Sequence, residues 1–270
     1  MTDFFKTADG TRLAYRIDGP DNAPCVMFSN SLATDFSMWD GQVEAFTKRY
    51  RMLRYDKRGH GQSDTFDTPI TMQTLADDAV ALAEATGFAG GHFIGLSIGG
   101  MTGQAIGLYH PGVFKSLSLC MTSSKVPEAA HPAWAERLRV AREDGMAGLT
   151  APTLERWFTE DFRASVPEAI EKVAAMIRNT SVTGYTRCSE AILGMAFTEK
   201  LNGITDPVLV LPGEKDPGLP VAMSETIRDG IPNARYDMVM GAAHLANIQE
   251  PEQFNRIVLA FIDGIEGNGA

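Results

Sequence analysis

Ser97 stands in Gly95-Leu96-Ser97-Ile98-Gly99, a serine with a glycine two residues to either side. That spacing suits a sharp strand-to-helix turn, which lifts one hydroxyl clear of the backbone to attack a carbonyl carbon. Residues 92–94 are short and apolar enough to finish a buried strand, and residues 100–109 carry the small and apolar side chains of a packed helix. The glycines have a steric reason. A serine in a strained backbone conformation needs neighbours without a Cβ, and Gly99, Gly100 and Gly103 let the helix approach the sheet. A glycine-rich turn that merely exposes a serine would look the same, so the partners of the hydroxyl decide.

A serine hydroxyl is a weak nucleophile until a base takes its proton, and the base needs a carboxylate to orient it. Of five histidines, His60 lies in a charged turn and His92 precedes its strand, at the wrong end of it. His110, before Pro111, reads as a helix-terminus contact, and His131 lies among helical segments. His244 follows the last expected strand in the small-residue run Gly241-Ala242-Ala243, placed to project over a sheet edge, and is the expected base. For the carboxylate, Thr122-Ser123-Ser124 offers no acid, whereas Pro212-Gly213-Glu214-Lys215-Asp216 offers two. Asp216, where that loop turns back over the sheet, is the expected partner, with Glu214 as the alternative. An oxyanion needs donors, and the backbone N–H groups of Ile98 and of Leu32, in the loop after residue 28, are the candidates.

These groups need strands to carry them. Residues 4–6 and 13–17 flank Asp9-Gly10 as a hairpin, and strands are expected over 25–28, 52–55, 92–94, 113–121, 208–211 and 234–240. Helical patterns cover 38–46, 72–86, 100–109, 220–228 and 251–265. Between residues 123 and 197 only helical segments recur, over 132–143, 152–158, 167–178 and 185–195, with Pro132, Pro152 and Pro167 each placed at a helix start. The expected fold is α/β: a mostly parallel sheet from residues 1–122 and 198–270, with an inserted helical cap at 123–197.

The chain has 270 residues, 44% hydrophobic and 21% charged, enough for one large domain with a full core. A net charge of -10 without any run of Lys or Arg argues against nucleic acid and anionic membrane surfaces as partners. No apolar signal core and no long apolar span appear, which points to the cytoplasm. Cys25, Cys120 and Cys188 are too few and too widely spaced for a disulfide framework. Neither a metal nor an organic cofactor is expected, because no histidines or acids have ligand spacing and no loop is built to cradle phosphate. A homo-oligomer is compatible with the sequence.

With Ser97, Asp216 and His244 in that chain order, and with Asp56-Lys57-Arg58-Gly59-His60-Gly61-Gln62-Ser63, the chain resembles the α/β-hydrolase superfamily over nearly its whole length. Within it, the chain is most similar to 3-oxoadipate enol-lactonases. The cues are Ser29-Asn30-Ser31-Leu32-Ala33-Thr34-Asp35-Phe36-Ser37-Met38-Trp39, Leu53-Arg54-Tyr55-Asp56, the serine turn, Arg156-Trp157-Phe158-Thr159 and residues 184–192. Asn30-Ser31, where many relatives carry His-Gly, goes with the same subfamily; residues 214–218 and much of the cap are less alike. The resemblance implies hydrolysis of an unsaturated γ-lactone with an acetate arm, giving 3-oxoadipate in aromatic catabolism through an acyl-enzyme on Ser97. An anionic substrate implies a cation or donor cluster under the cap, for which Arg137, Arg139, Arg142, Arg163, Arg178 and Arg187 are available. Trp134 and Trp157 are candidates to shape the pocket. A carboxylesterase, a lactonase acting on an aryl ester or acyl-homoserine lactone, a C–C bond hydrolase, and a ligand-binding receptor on the same fold stay open.

Overall fold

Thr7, Asp9 and Thr11 close the first turn, Asp9 accepting from the Thr11 amide and hydroxyl at 3.1 and 2.8 Å. Around it Asp3–Lys6 (β1) and Arg12–Asp18 (β2) pair antiparallel. Five apolar runs follow along the chain: Cys25–Ser29 (β3), Arg51–Tyr55 (β4), His92–Leu96 (β5), Ser116–Cys120 (β6) and Val208–Leu211 (β7). Arg235–Tyr236 (β8) forms the far edge. The computed structural model describes residues 1–65 and 67–267; position 66 and residues 268–270, which fall within the expected core segments, lie outside the described residues. Among the described residues the strands form an eight-stranded sheet in the order β1-β2-β4-β3-β5-β6-β7-β8, antiparallel as far as β2·β4 and parallel from there on.

The helices Asp40–Phe46 (α1), Met72–Thr86 (α2) and Ile98–Tyr109 (α3) alternate with the early strands. Five more come between β6 and β7: His131–Glu143 (α4), Gly145–Trp157 (α5), Glu160–Ser165 (α6), Pro167–Asn179 (α7) and Val182–Leu193 (α8). After β7 come Val221–Gly230 (α9), Ala246–Gln249 (α10) and Pro251–Glu266 (α11). β5 and β6 are buried along their whole length, as strands covered on both faces must be. Ser29 lies opposite both Tyr55 and Gly95, Leu96 opposite Cys120, and Cys120 opposite Leu211. Five parallel strands therefore end nearly level, and their loops leave along one edge. No helix among the described residues is long and apolar enough to cross a membrane.

The structure departs from sequence expectation at three places. Pro152 lies inside α5 rather than at its start, on the exposed side of the helix, where Gly148, whose carbonyl loses its helical partner, is also exposed. Glu160–Ser165 forms α6, too short and polar for its period to register. The last strand shrinks to Arg235–Tyr236: the chain leaves the ladder at Asp237 and returns as a single bridge between Val239 and Gly213.

Gly59, in the loop after β4, and Gly184, on α8, meet backbone to backbone. A Cβ on Gly184 would lie 2.2 Å from the Gly59 carbonyl oxygen, and one on Gly59 would lie 2.4 Å from the Gly184 Cα. Gly184→Ala is expected to lose about 1–3 kcal/mol of stability, as overpacking does. The exposed Gly194→Ala, whose added carbon meets nothing closer than 3.5 Å, is expected to stay within about 0.5 kcal/mol of the parent. Urea denaturation of the two variants checks the contrast.

Candidate active site

β5 ends at Leu96 and α3 begins at Ile98, so Ser97 alone makes the turn, at φ 60° and ψ -117°. A non-glycine residue there costs about 1–3 kcal/mol and persists only when its surroundings hold it. They do: the Ser97 N–H donates to the Cys120 carbonyl at 2.9 Å, and the Ser97 carbonyl accepts from the Thr122 hydroxyl at 2.8 Å. A Cβ on Gly95 would fall 2.1 Å from the Gly99 carbonyl oxygen, and one on Gly99 would fall 2.2 Å from that of Ser29. The Ser97 side chain is buried apart from its access to a cavity.

Asp216 and His244 are brought together from the loops after β7 and β8. His244 Nδ1 donates to Asp216 Oδ2 at 2.6 Å, leaving Nε2 toward the cavity that Ser97 also lines. The other oxygen of Asp216 accepts from the amides of Gly218 and Leu219 at 2.9 and 3.0 Å, so the carboxylate is held on both sides. Glu214, the alternative acid, instead accepts from the Gly241 amide at 2.8 Å and tethers the His244 loop from below. Gln249, which sequence reading passed over, links that loop to the helical insertion: its Nε2 donates to Gly241 O and to Thr159 Oγ1 at 3.0 and 2.9 Å. The Leu245 amide donates to Trp157 O at 3.2 Å, and the Trp157 ring lies 5.8 Å from the His244 ring.

Leu32 and Ile98 both reach the site, Leu32 as part of the cavity wall and Ile98 as the first residue of α3. The amides flanking Leu32 are engaged. That of Ser31 donates to the Met38 sulfur at 3.3 Å, and that of Ala33 to His60 Nε2 at 3.0 Å. The Leu32 amide has no acceptor among the described residues. His60 is thus no surface turn residue. It is fully buried, and burial followed by the Lys57 charge pulls its pKa well below the usual imidazole value. Neutral, with Nε2 accepting, it carries its proton on Nδ1, 3.3 Å from the Arg58 carbonyl. That bond holds Ala33 at φ 58°, the second strained residue of the site.

The cavity has a volume of about 150 Å³ and is walled by both the sheet-edge loops and the insertion. Trp134 and Trp157 line it. Of the six arginines named from sequence, Arg137 is the one that does so; Arg139 pairs with Glu136 and Glu143, Arg142 with Glu190, Arg178 with Glu171, and Arg187 with Asp67 and Glu190, while Arg163 on α6 lies away from the cavity wall. Arg156 lines it as well and was missed among the cations. The signal was present: Met146, Leu149, Thr153 and Arg156 recur at helical spacing along the face of α5 that meets the cavity. Arg137 stacks 4.9 Å from the Trp134 ring and Arg156 donates to Thr153 Oγ1 at 3.0 Å, yet neither has a carboxylate partner among the described residues. Burial, and then the neighbouring Arg137 charge, lower the pKa of Arg156. No group of three or more His, Cys, Asp or Glu is gathered to hold a metal among the described residues.

Two guanidinium groups without carboxylate partners in one small cavity have the chemistry to hold an anion. Millimolar succinate is expected to change the tryptophan fluorescence of the protein, through Trp134 beneath Arg137, and to raise its melting temperature. In Arg137→Met/Arg156→Met both responses should vanish; a wild-type protein indifferent to succinate would remove the site.

Residues 24–251 match the family described as the alpha/beta hydrolase fold. The chain is 34% identical over 257 residues to 3-oxoadipate enol-lactonase 1 of Acinetobacter baylyi, covering 95% of each chain. It is also 34% identical to 3-oxoadipate enol-lactonase 2 of the same organism, over 94% of each. The crystal structure of the enol-lactonase from Burkholderia xenovorans LB400 is 35% identical and superimposes with a TM-score of 0.92, over 96% of this chain and 99% of that one. With its sheet order, its serine turn between β5 and α3 and this matched span, the chain belongs to the alpha/beta hydrolase fold family.

Proposed function

We propose that the protein is a serine hydrolase that opens a small anionic lactone, with 3-oxoadipate enol-lactone as its substrate and 3-oxoadipate as its product. The observation that carries this reading is the Asp216–His244 pair beside Ser97 in a cavity walled by two arginines without carboxylate partners. The similarity to two enol-lactonases over most of the chain supports it. In this reading residues 123–197 act as a cap on a core of residues 1–122 and 198–270.

His244 Nε2 takes the Ser97 proton as Oγ adds to the ring carbonyl, while Asp216 keeps the imidazole in the right tautomer. The oxyanion lies between the Leu32 and Ile98 amides, each worth about 3–4 kcal/mol in the transition state. Collapse breaks the ring C–O bond, and the leaving enol oxygen takes the proton back from His244. The enol becomes a ketone, which draws the step forward. Water, deprotonated by His244, then adds to the acyl-enzyme, and the second collapse returns the proton to Ser97 and frees a carboxylate. Arg137 and Arg156 hold the substrate's carboxylate arm, while Trp134 and Trp157 enclose the ring.

Loss of the enol-lactone absorbance with purified protein tests the assignment, and a rate no better than buffer would sink it. Ser97→Ala should abolish turnover, and Asp216→Asn should lower kcat by about 10³–10⁴-fold, the scale set by mis-orienting a catalytic imidazole. Replacing either arginine with Met should lower the ratio of kcat/KM for the lactone to that for p-nitrophenyl acetate by about 10–100-fold. A wild-type preference for neutral aryl esters or acyl-homoserine lactones would move the assignment to the esterase alternative.

A further inference from the structure

The Ser31 carbonyl and the Leu32 amide belong to one peptide group. On the reading above its N–H faces the oxyanion. Its oxygen faces a buried ammonium: Lys57 Nζ donates to Ser31 O at 2.8 Å. Lys57, second residue of the loop after β4, is 3% exposed and has no carboxylate within ion-pair distance among the described residues. Its neighbour Asp56 is turned elsewhere, accepting from the Phe36 and Gln62 amides at 2.6 and 2.9 Å. Burying a cation against one neutral carbonyl is costly, and an apolar side chain would fill the space more cheaply. The arrangement makes sense if the field is used.

We propose that Lys57 is a positioning residue for acyl transfer, its positive charge polarising the Ser31–Leu32 peptide group and fixing that N–H toward the oxyanion. The inference rests on the assignment of Leu32 as an oxyanion donor. Through one peptide group the ammonium lies roughly 8 Å from the developing negative charge. With an effective dielectric constant near 20, that attraction accounts for about 10- to 30-fold in rate. His60 completes the mounting from the other side, by accepting the next amide, that of Ala33. The loop after β4 thus grips the carbonyl before the Leu32 N–H and the amide after it.

The titratable and charged groups facing Lys57 are Asp56 and His60 on its own loop, Asp35 on the loop it grips, and Cys188 on α8. Burial pulls Lys57 down to about 8, pushes Asp56 up to about 7 and the Cys188 thiol up to about 12. Lys57 is therefore the group here that loses a positive charge as the solution turns alkaline. A neutral amine still donates to Ser31 O, so what is lost above that pH is the field, not the bond.

The test uses p-nitrophenyl acetate, a neutral ester whose binding makes no demand on the arginines. Lys57→Met and Lys57→Gln, the second keeping a donor but no charge, are each expected to lower kcat by about 10- to 30-fold with KM within about twofold of wild type. Wild-type kcat is expected to fall as pH rises through about 8, and neither variant should show that fall. A folded variant with kcat near that of wild type, or a loss confined to KM, overturns the proposal. So does a wild-type kcat that stays flat from about pH 7 to 10, a measurement that stands even if both variants fail to fold. Turnover that survives Ser97→Ala, or none in wild type, overturns the parent reading and this one with it. Ser97-dependent turnover that is indifferent to Lys57 overturns this one alone.

Discussion

The register between β5 and β6, with Leu96 beside Cys120, holds Ser97 where it is. The serine's amide donates to the Cys120 carbonyl, and its own carbonyl accepts from the Thr122 hydroxyl, two residues past the end of β6. Neither anchor exists until the two strands pair, so the strained turn is stabilised by the sheet and not by its own residues. The next pairing, Cys120 with Leu211, sets where the Asp216 loop leaves the sheet. A slip of one residue at either interface would turn the side chains over and separate the groups. The five parallel strands therefore act as a gauge for the distances between the loops.

The helical insertion is bound into this arrangement from two directions. Gly184 of α8 rests on Gly59, in the same loop that carries Lys57 and His60. On the opposite side Trp157 accepts from Leu245, and Thr159 is bonded to Gln249, so the loop bearing His244 leans on the end of α5 and the turn into α6. The insertion thus touches the supports of both the base and the oxyanion loop. A change in the insertion that shifts α5 moves Arg156 and the loop bearing His244 together, through packing alone.

What could be read from the chain divides along a physical line. The serine turn, the alternation of strands and helices and the position of His244 are written in local patterns: glycine spacing, apolar runs, a small-residue loop after a strand. Asp216 against Glu214 was a choice between two acids in one loop, and it turns on which of them the loop folds inward; Gly218 and Leu219 amides receive Asp216, while Glu214 turns to Gly241. His60 does lie in a charged turn, but its burial is not legible there, because a histidine among charges and glycines looks like any other turn residue. Its burial comes from Ala33, 27 residues away, and no local pattern records that contact. Lys57 is hidden for the same reason: its partner is a backbone oxygen, which every residue has. Arg156 is legible only from the face it shares: it continues the stripe of Met146, Leu149 and Thr153 along α5, while charge alone does not set it apart from the other arginines.

Charge placement separates the two kinds of cation in this protein. The chain carries a net charge of -10, and most of the arginines in the insertion are neutralised by acids, as surface charges that only decorate helices usually are. Arg54, buried in β4, has two acids of its own, Asp18 and Asp40, at 2.6 Å each. Arg137, Arg156 and Lys57 break the pattern, as does Arg163 away from the cavity: all are partly or wholly buried, and none has an acid among the described residues. A carboxylate beside any of the first three would favour folding but would cancel its field at and around the cavity. Charges that act on a ligand must be left unsatisfied by the protein, and their cost is offset by the rest of the fold, in which one continuous apolar core is buried.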